Sequence, residues 1–107
     1  MIEVFRYRTA AGAEPVTDWL ASLRDRQAQA KMRLRIQRLA SGNFGDSVPV
    51  GEGVFELREH LGAGYRVYFG RHGRALVILL CGGSKRTQSQ DIKAAKEHWA
   101  GWKRRQT

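Results

Sequence analysis

A chain of 107 residues is sized for one domain, residues 1 to 107, with a core that needs no disulfide staples. Its hydrophobic fraction of 42% and three tryptophans exclude a disordered chain, and its single cysteine, Cys81, excludes an internal bridge. Nineteen Lys plus Arg against ten Asp plus Glu give a net charge of +9, a field that draws polyanions such as nucleic acid, or an acidic protein.

No apolar run approaches the roughly 18 residues of a membrane span. The opening "MIEVFRYRTA" has no signal-peptide layout, so a cytoplasmic protein is expected. Residues 2 to 8, "IEVFRYR", alternate and predict a first strand. Pro15 then suits the first turn of a helix with Val16, Trp19, Leu20 and Leu23 on one side. A longer helix is expected from Asp25 to about Ser41. Ala28, Met32, Ile36 and Leu39 form its apolar face, cations including Arg35 and Arg38 its other sides, and Gly42 its stop.

"NFGDSVPVGEG" reads as a loop. Three strands follow, "FELREHL", "YRVYF" and "ALVILLC", joined by the short turns "GAG" and "GRHGR" as antiparallel hairpins. The last of them is apolar throughout, as in a strand covered on both sides. Gly82 and Gly83 read as a release of the chain at its end. Thr87 with Gln90 has the spacing of a capping box, and Ile92, Ala95, Trp99 and Trp102 form the stripe of a final helix. "KRRQT" is a basic tail. The expected architecture is α+β: strand, helix, helix, three antiparallel strands, helix, with the helices on one face of the sheet.

Alternation places Arg58 on one sheet face with Arg66 and Tyr68 of the next strand, and cross-strand neighbours lie about 5 Å apart. Two guanidiniums so placed repel unless an anion or an acid lies between them. Glu56, on the same face, could neutralise one; a bound phosphate would serve both. Lys85 arrives at the end of the third strand, close to a helix N-terminus. The order Gly-Gly-Ser-Lys is not that of a phosphate-binding loop, which argues against a nucleotide triphosphate enzyme. One cysteine with His60, His72 and His98 scattered gives no metal-ligand spacing, and no Gly-x-Ser-x-Gly elbow is present. No cofactor or metal is expected. Two arginines, a lysine and a tyrosine can support RNA cleavage, in which the RNA's own 2′-hydroxyl attacks and the protein holds the phosphate, stabilises charge and moves protons. By spacing alone a solvated basic face fits as well.

The segments "ELR" (Glu56 to Arg58), "GxGYRVYF" (Gly62 to Phe69) and "LLCGGxKxxQxxDI" (Leu79 to Ile92), in this order and spacing, resemble the HigB-like killer-protein branch of the RelE/ParE toxin superfamily. The resemblance runs through nearly the whole chain. It implies a RelE-like fold and the toxin of a type II toxin-antitoxin module, an endoribonuclease cleaving mRNA on the ribosome. It implies Arg58, Arg66 and Lys85 as the cationic catalytic set and Tyr68 as a base-stacking or proton-transfer residue. Arg71, Arg86, His60, Arg35 and Arg38 would be RNA contacts. The implied partner is a helix-turn-helix, HigA-like antitoxin that forms an oligomer with the toxin. Some HigB toxins carry histidines and an acid in the catalytic centre; this chain has Lys85 at the corresponding corner. Two alternatives share the basic surface: a ParE-like gyrase poison, and a nucleic-acid-binding module without catalysis.

Overall fold

The structure, a computed structural model, describes residues 1–106. Five strands and three helices run in the order β1 (Glu3–Arg6), α1 (Pro15–Ser22), α2 (Arg26–Leu39), β2 (Ser47–Gly51), β3 (Val54–Glu59), β4 (Tyr65–His72) and β5 (Leu76–Ser84). A 3-10 turn (Lys85–Thr87) then leads into α3 (Gln88–Arg105). The strands form one mixed sheet in the order β1-β5-β4-β3-β2, with β1 parallel to β5 and the other pairs antiparallel. The fold is α+β.

Local signals account for most element ends. Pro15 opens α1, where its missing N–H is not needed. The Asp25 carboxylate accepts from the Ala28 N–H at 3.1 Å and caps α2. Gly42 takes a positive φ of 84° just beyond that helix.

Four expectations change. The loop at 43–53 contains a strand, β2, that pairs with β3 at the sheet edge. Pro49 is compatible with this because an edge strand leaves one side of its backbone unpaired. The helices do not share one face. α1 and α2 bury Val16, Leu20, Met32, Ile36 and Leu39 against Leu57, Val67, Phe69, Val77 and Leu79. On the opposite face α3 buries Ala95 and Trp99 against Val54, Tyr68, Ile78, Leu80 and Cys81. The cause is in the strands: β4 and β5 are apolar on both sides, so a single helical layer would leave one side in water.

Gly82 and Gly83 do not end a strand, since β5 runs through both to Ser84. They act by leaving space. A Cβ at Gly82 would collide with the Trp19 indole on one face, and one at Gly83 with the Asp91 carboxylate on the other. The capping box is also absent. Thr87 makes no side-chain cap to the helix backbone; its hydroxyl donates to the Asp91 carboxylate. The preceding 3-10 turn alters the spacing that a capping box requires.

Candidate functional site

The β3–β4 register sets Arg58 opposite Arg66 and Glu56 opposite Tyr68. The β4–β5 register sets Arg66 opposite Gly83 and Tyr65 opposite Ser84, so the strand end carrying Lys85 lies beside Arg66. The two arginines therefore share the sheet face on which α3 packs. Each is met by its own acid. Arg58 donates to Asp46 Oδ1 from Nη2 at 3.0 Å and from Nε at 3.3 Å. Arg66 Nε lies 3.4 Å from Glu56 Oε2. The neutralising role considered for Glu56 is thus present for Arg66, while Asp46 performs it for Arg58.

Asp46 was not legible as a site residue. It falls in the stretch read as loop, and only the pairing of Ser47 with Leu57 places it beside Arg58. The same carboxylate takes His60, with Nε2 at 2.7 Å from Oδ2. Hydrogen bonds from His60 and then Arg58 hold the Asp46 carboxyl below its ordinary range. The His60 side chain remains 70% exposed.

Tyr68 is placed differently from expectation. It is 0% exposed, within the core under α3, and its hydroxyl donates to Glu56 Oε2 at 2.9 Å. Burial, and then the Glu56 carboxylate, push its phenol well above the ordinary range. A fully buried ring has no free face for a base, so stacking is not open to Tyr68 in this structure.

Arg66 is 7% exposed. Its Nη1 donates to the Gly64 carbonyl at 3.3 Å, and the Lys85 backbone N–H donates to the same oxygen at 2.8 Å. A Cβ at Gly64 would lie 3.4 Å from Arg66 Nη1 and 3.6 Å from Lys85 Cβ, so the arginine head and the root of the lysine flank one glycine. Lys85 and Arg86 are both exposed on the 3-10 turn.

The remaining predicted contacts divide. Arg35 is an internal tie: Nη1 donates to the Arg58 carbonyl at 2.6 Å and meets Glu59 at 3.4 Å, with 17% of the side chain exposed. Its guanidinium is committed to these partners at the end of β3. Arg71 shares the opposite sheet face with Phe69, its guanidinium 4.3 Å from the centre of the Phe44 ring. Arg38 is exposed in the last turn of α2, the helix layer of that same opposite face. Neither joins the corner formed by Arg58, His60, Arg66, Lys85 and Arg86.

That corner offers exposed Lys85 and Arg86 beside a partly exposed Arg58 and a buried Arg66, together with a histidine oriented by a carboxylate. Chemically it suits a phosphodiester anion with a proton-transfer group at its edge. Among the described residues, no three His, Cys, Asp or Glu side chains are grouped as a metal-ion ligand set, and no helix is long and apolar enough to cross a membrane.

A protein of Haemophilus influenzae, described as an uncharacterized protein, is 55% identical to this chain over 78 residues, which is 73% of this chain and 79% of that one. No family model matches.

Proposed function

We propose a function for this chain from the premise that it belongs to the same family as that Haemophilus influenzae protein: it is the toxin of a type II toxin-antitoxin module, with a RelE-like fold, and it cleaves mRNA on the ribosome. One observation carries the reading. Arg58 on β3 and Arg66 on β4 are register partners, and the backbone of Lys85, just past β5, is hydrogen-bonded to Gly64 beside Arg66, so three cationic residues are brought to one corner of the sheet. The three segments that resemble HigB-like toxins fall on β3, β4, β5, the turn after it and the start of α3. Its site of action is the cytoplasm, and its partner is a co-encoded helix-turn-helix antitoxin.

The 2′-oxygen of the substrate ribose attacks the adjacent phosphorus. The bond from phosphorus to the 5′-oxygen of the next nucleotide breaks, leaving a 2′,3′-cyclic phosphate and a 5′-hydroxyl. The 2′-hydroxyl loses its proton and the leaving oxygen gains one. Arg66 and Lys85 stabilise the charge that gathers on the phosphoryl oxygens, and Arg58 aligns the strand. His60, held by Asp46, is the proton-transfer group best placed at the rim. Tyr68 serves Glu56 instead of the substrate.

Brief induction followed by primer extension on cellular transcripts tests the reading. Cuts at codons and growth arrest are expected, both abolished in a folded Lys85→Ala variant. Lys85 is exposed, so its loss leaves no buried charge unpaired. Full toxicity in folded Lys85→Ala and Arg66→Ala variants would overturn the assigned site. Intact transcripts together with a DNA-damage response would replace the reading with gyrase poisoning.

A further inference from the structure

A carboxylate 1% exposed is costly unless hydrogen bonds and a cation compensate it. Glu56 has both. Tyr68 Oη at 2.9 Å and Gln88 Nε2 at 2.8 Å donate to its Oε2, and Arg66 Nε stands 3.4 Å from that same oxygen. Stability alone does not explain the arrangement. Val54, two residues earlier on the same strand face, fills its place with an apolar side chain, and buried ion pairs are commonly replaced by apolar groups without loss.

The geometry points to Glu56 as a positioning residue: it aims the Arg66 guanidinium toward the phosphate corner and, through Gln88, fixes the Lys85 turn against it, an assignment that rests on the RNA-cleavage reading above. Glu56 holds Arg66 at Nε. The Gly64 carbonyl holds it at Nη1 and holds the Lys85 backbone as well. Gln88 follows one turn after Lys85 and returns to Glu56, which closes the circuit through β3, β4 and α3. Arg66 Nε makes no hydrogen bond among the described residues, so the ion pair with Glu56 is what restrains that side of the guanidinium. A guanidinium fixed at two points needs no reorganisation when charge develops on a phosphoryl oxygen, which is the condition for effective electrostatic stabilisation. Glu56 itself is almost wholly buried and touches no substrate.

Two variants and two measurements test this. Glu56→Gln keeps the size and an acceptor but removes the charge. Gln88→Met keeps the length but removes the donor, at a half-buried position. The first measurement uses no RNA: exchange of the Arg66 Nε–H proton, followed by NMR on the labelled protein, should accelerate about tenfold or more in both variants. The second is ribosome-dependent cleavage of a defined mRNA. There kcat should fall about tenfold or more while KM for the ribosome stays within about twofold, the pattern of an interaction made in the transition state. Unchanged proton exchange overturns the positioning role, and so does faster exchange with an unchanged kcat. If Glu56→Gln does not fold, Gln88→Met decides by the same criteria. A wild-type protein that leaves ribosome-bound mRNA intact overturns the RNA-cleavage reading, and the catalytic purpose with it. The proton exchange then still reports whether Glu56 holds Arg66.

Discussion

The cations of this chain carry different duties that composition does not reveal. Arg35 and Arg38 lie three residues apart on one helix, yet one is an internal tie and the other stands in solvent. Arg35→Met should therefore act on stability. Losing a buried donor to the Arg58 carbonyl is expected to cost about 1–3 kcal/mol in urea unfolding. RNA affinity should change no more than for any single lost charge. Asp46 gives a pH test. Its folded carboxyl titrates below the ordinary range, so its contribution to stability is present above the unfolded pKa and is lost as pH falls through the lowered folded value. Asp46→Asn should remove that acid-side dependence, seen as a flatter fall of Tm with acid than in wild type. A matching slope in both proteins would contradict the pairing with His60 and Arg58.

Among the elements, β5 matters most for the site. It continues past its apolar run because Gly82 and Gly83 let Trp19 and Asp91 approach the backbone from opposite faces. The extension carries Ser84 and then Lys85 to the side of Arg66. A bulge between Tyr68 and Phe69 gives β5 one extra residue there, and it shifts which β5 side chains face α3. Gly82→Ala should destabilise by about 1–3 kcal/mol, because a methyl group must displace a packed indole. Gly83→Ala should also weaken the corner, since Asp91 must move and release the Thr87 hydroxyl that it accepts from. Unfolding midpoints compared with a surface Gly73→Ala control, where a Cβ meets nothing within 4 Å, would show whether close approach is the cause. Gly73 has a positive φ of 64°, so the control itself carries the backbone cost of that conformation alone.

At the scale of the molecule, a +9 charge is spread over two helical layers and a sheet, and only part of it gathers at the corner. Binding to single-stranded RNA should weaken linearly in log–log terms as salt rises. Each phosphate contact removed should flatten the slope by roughly 0.7. Lys85→Gln and Arg86→Gln should each do so, and Arg35→Met should not. Filter-binding titrations across a salt series would read this directly. Equal slopes in all four proteins would mean that the charge acts only as a diffuse field.

The helices, the three consecutive antiparallel strands and the shared face of Arg58 and Arg66 were legible, because periodicity and short turns are local properties. The same alternation placed Glu56 and Tyr68 on one face, but it could not show α3 lying over that face. β2 was hidden by a turn-rich composition around Pro49, and with it went Asp46, whose role exists only through pairing with β3. Side-chain alternation says which residues share a face; it does not say what covers the face. Burial of Tyr68 and Arg66, the joint hold of Glu56 on both, and the meeting of Lys85 with Arg66 at Gly64 depend on contacts between residues far apart in the chain. The sequence alone determined the helices, four of the five strands, and the charge with the residues that carry it. Tertiary packing decided which of them remain open to a ligand, because apolar surface on both sides of β4 and β5 drew a helix onto each face.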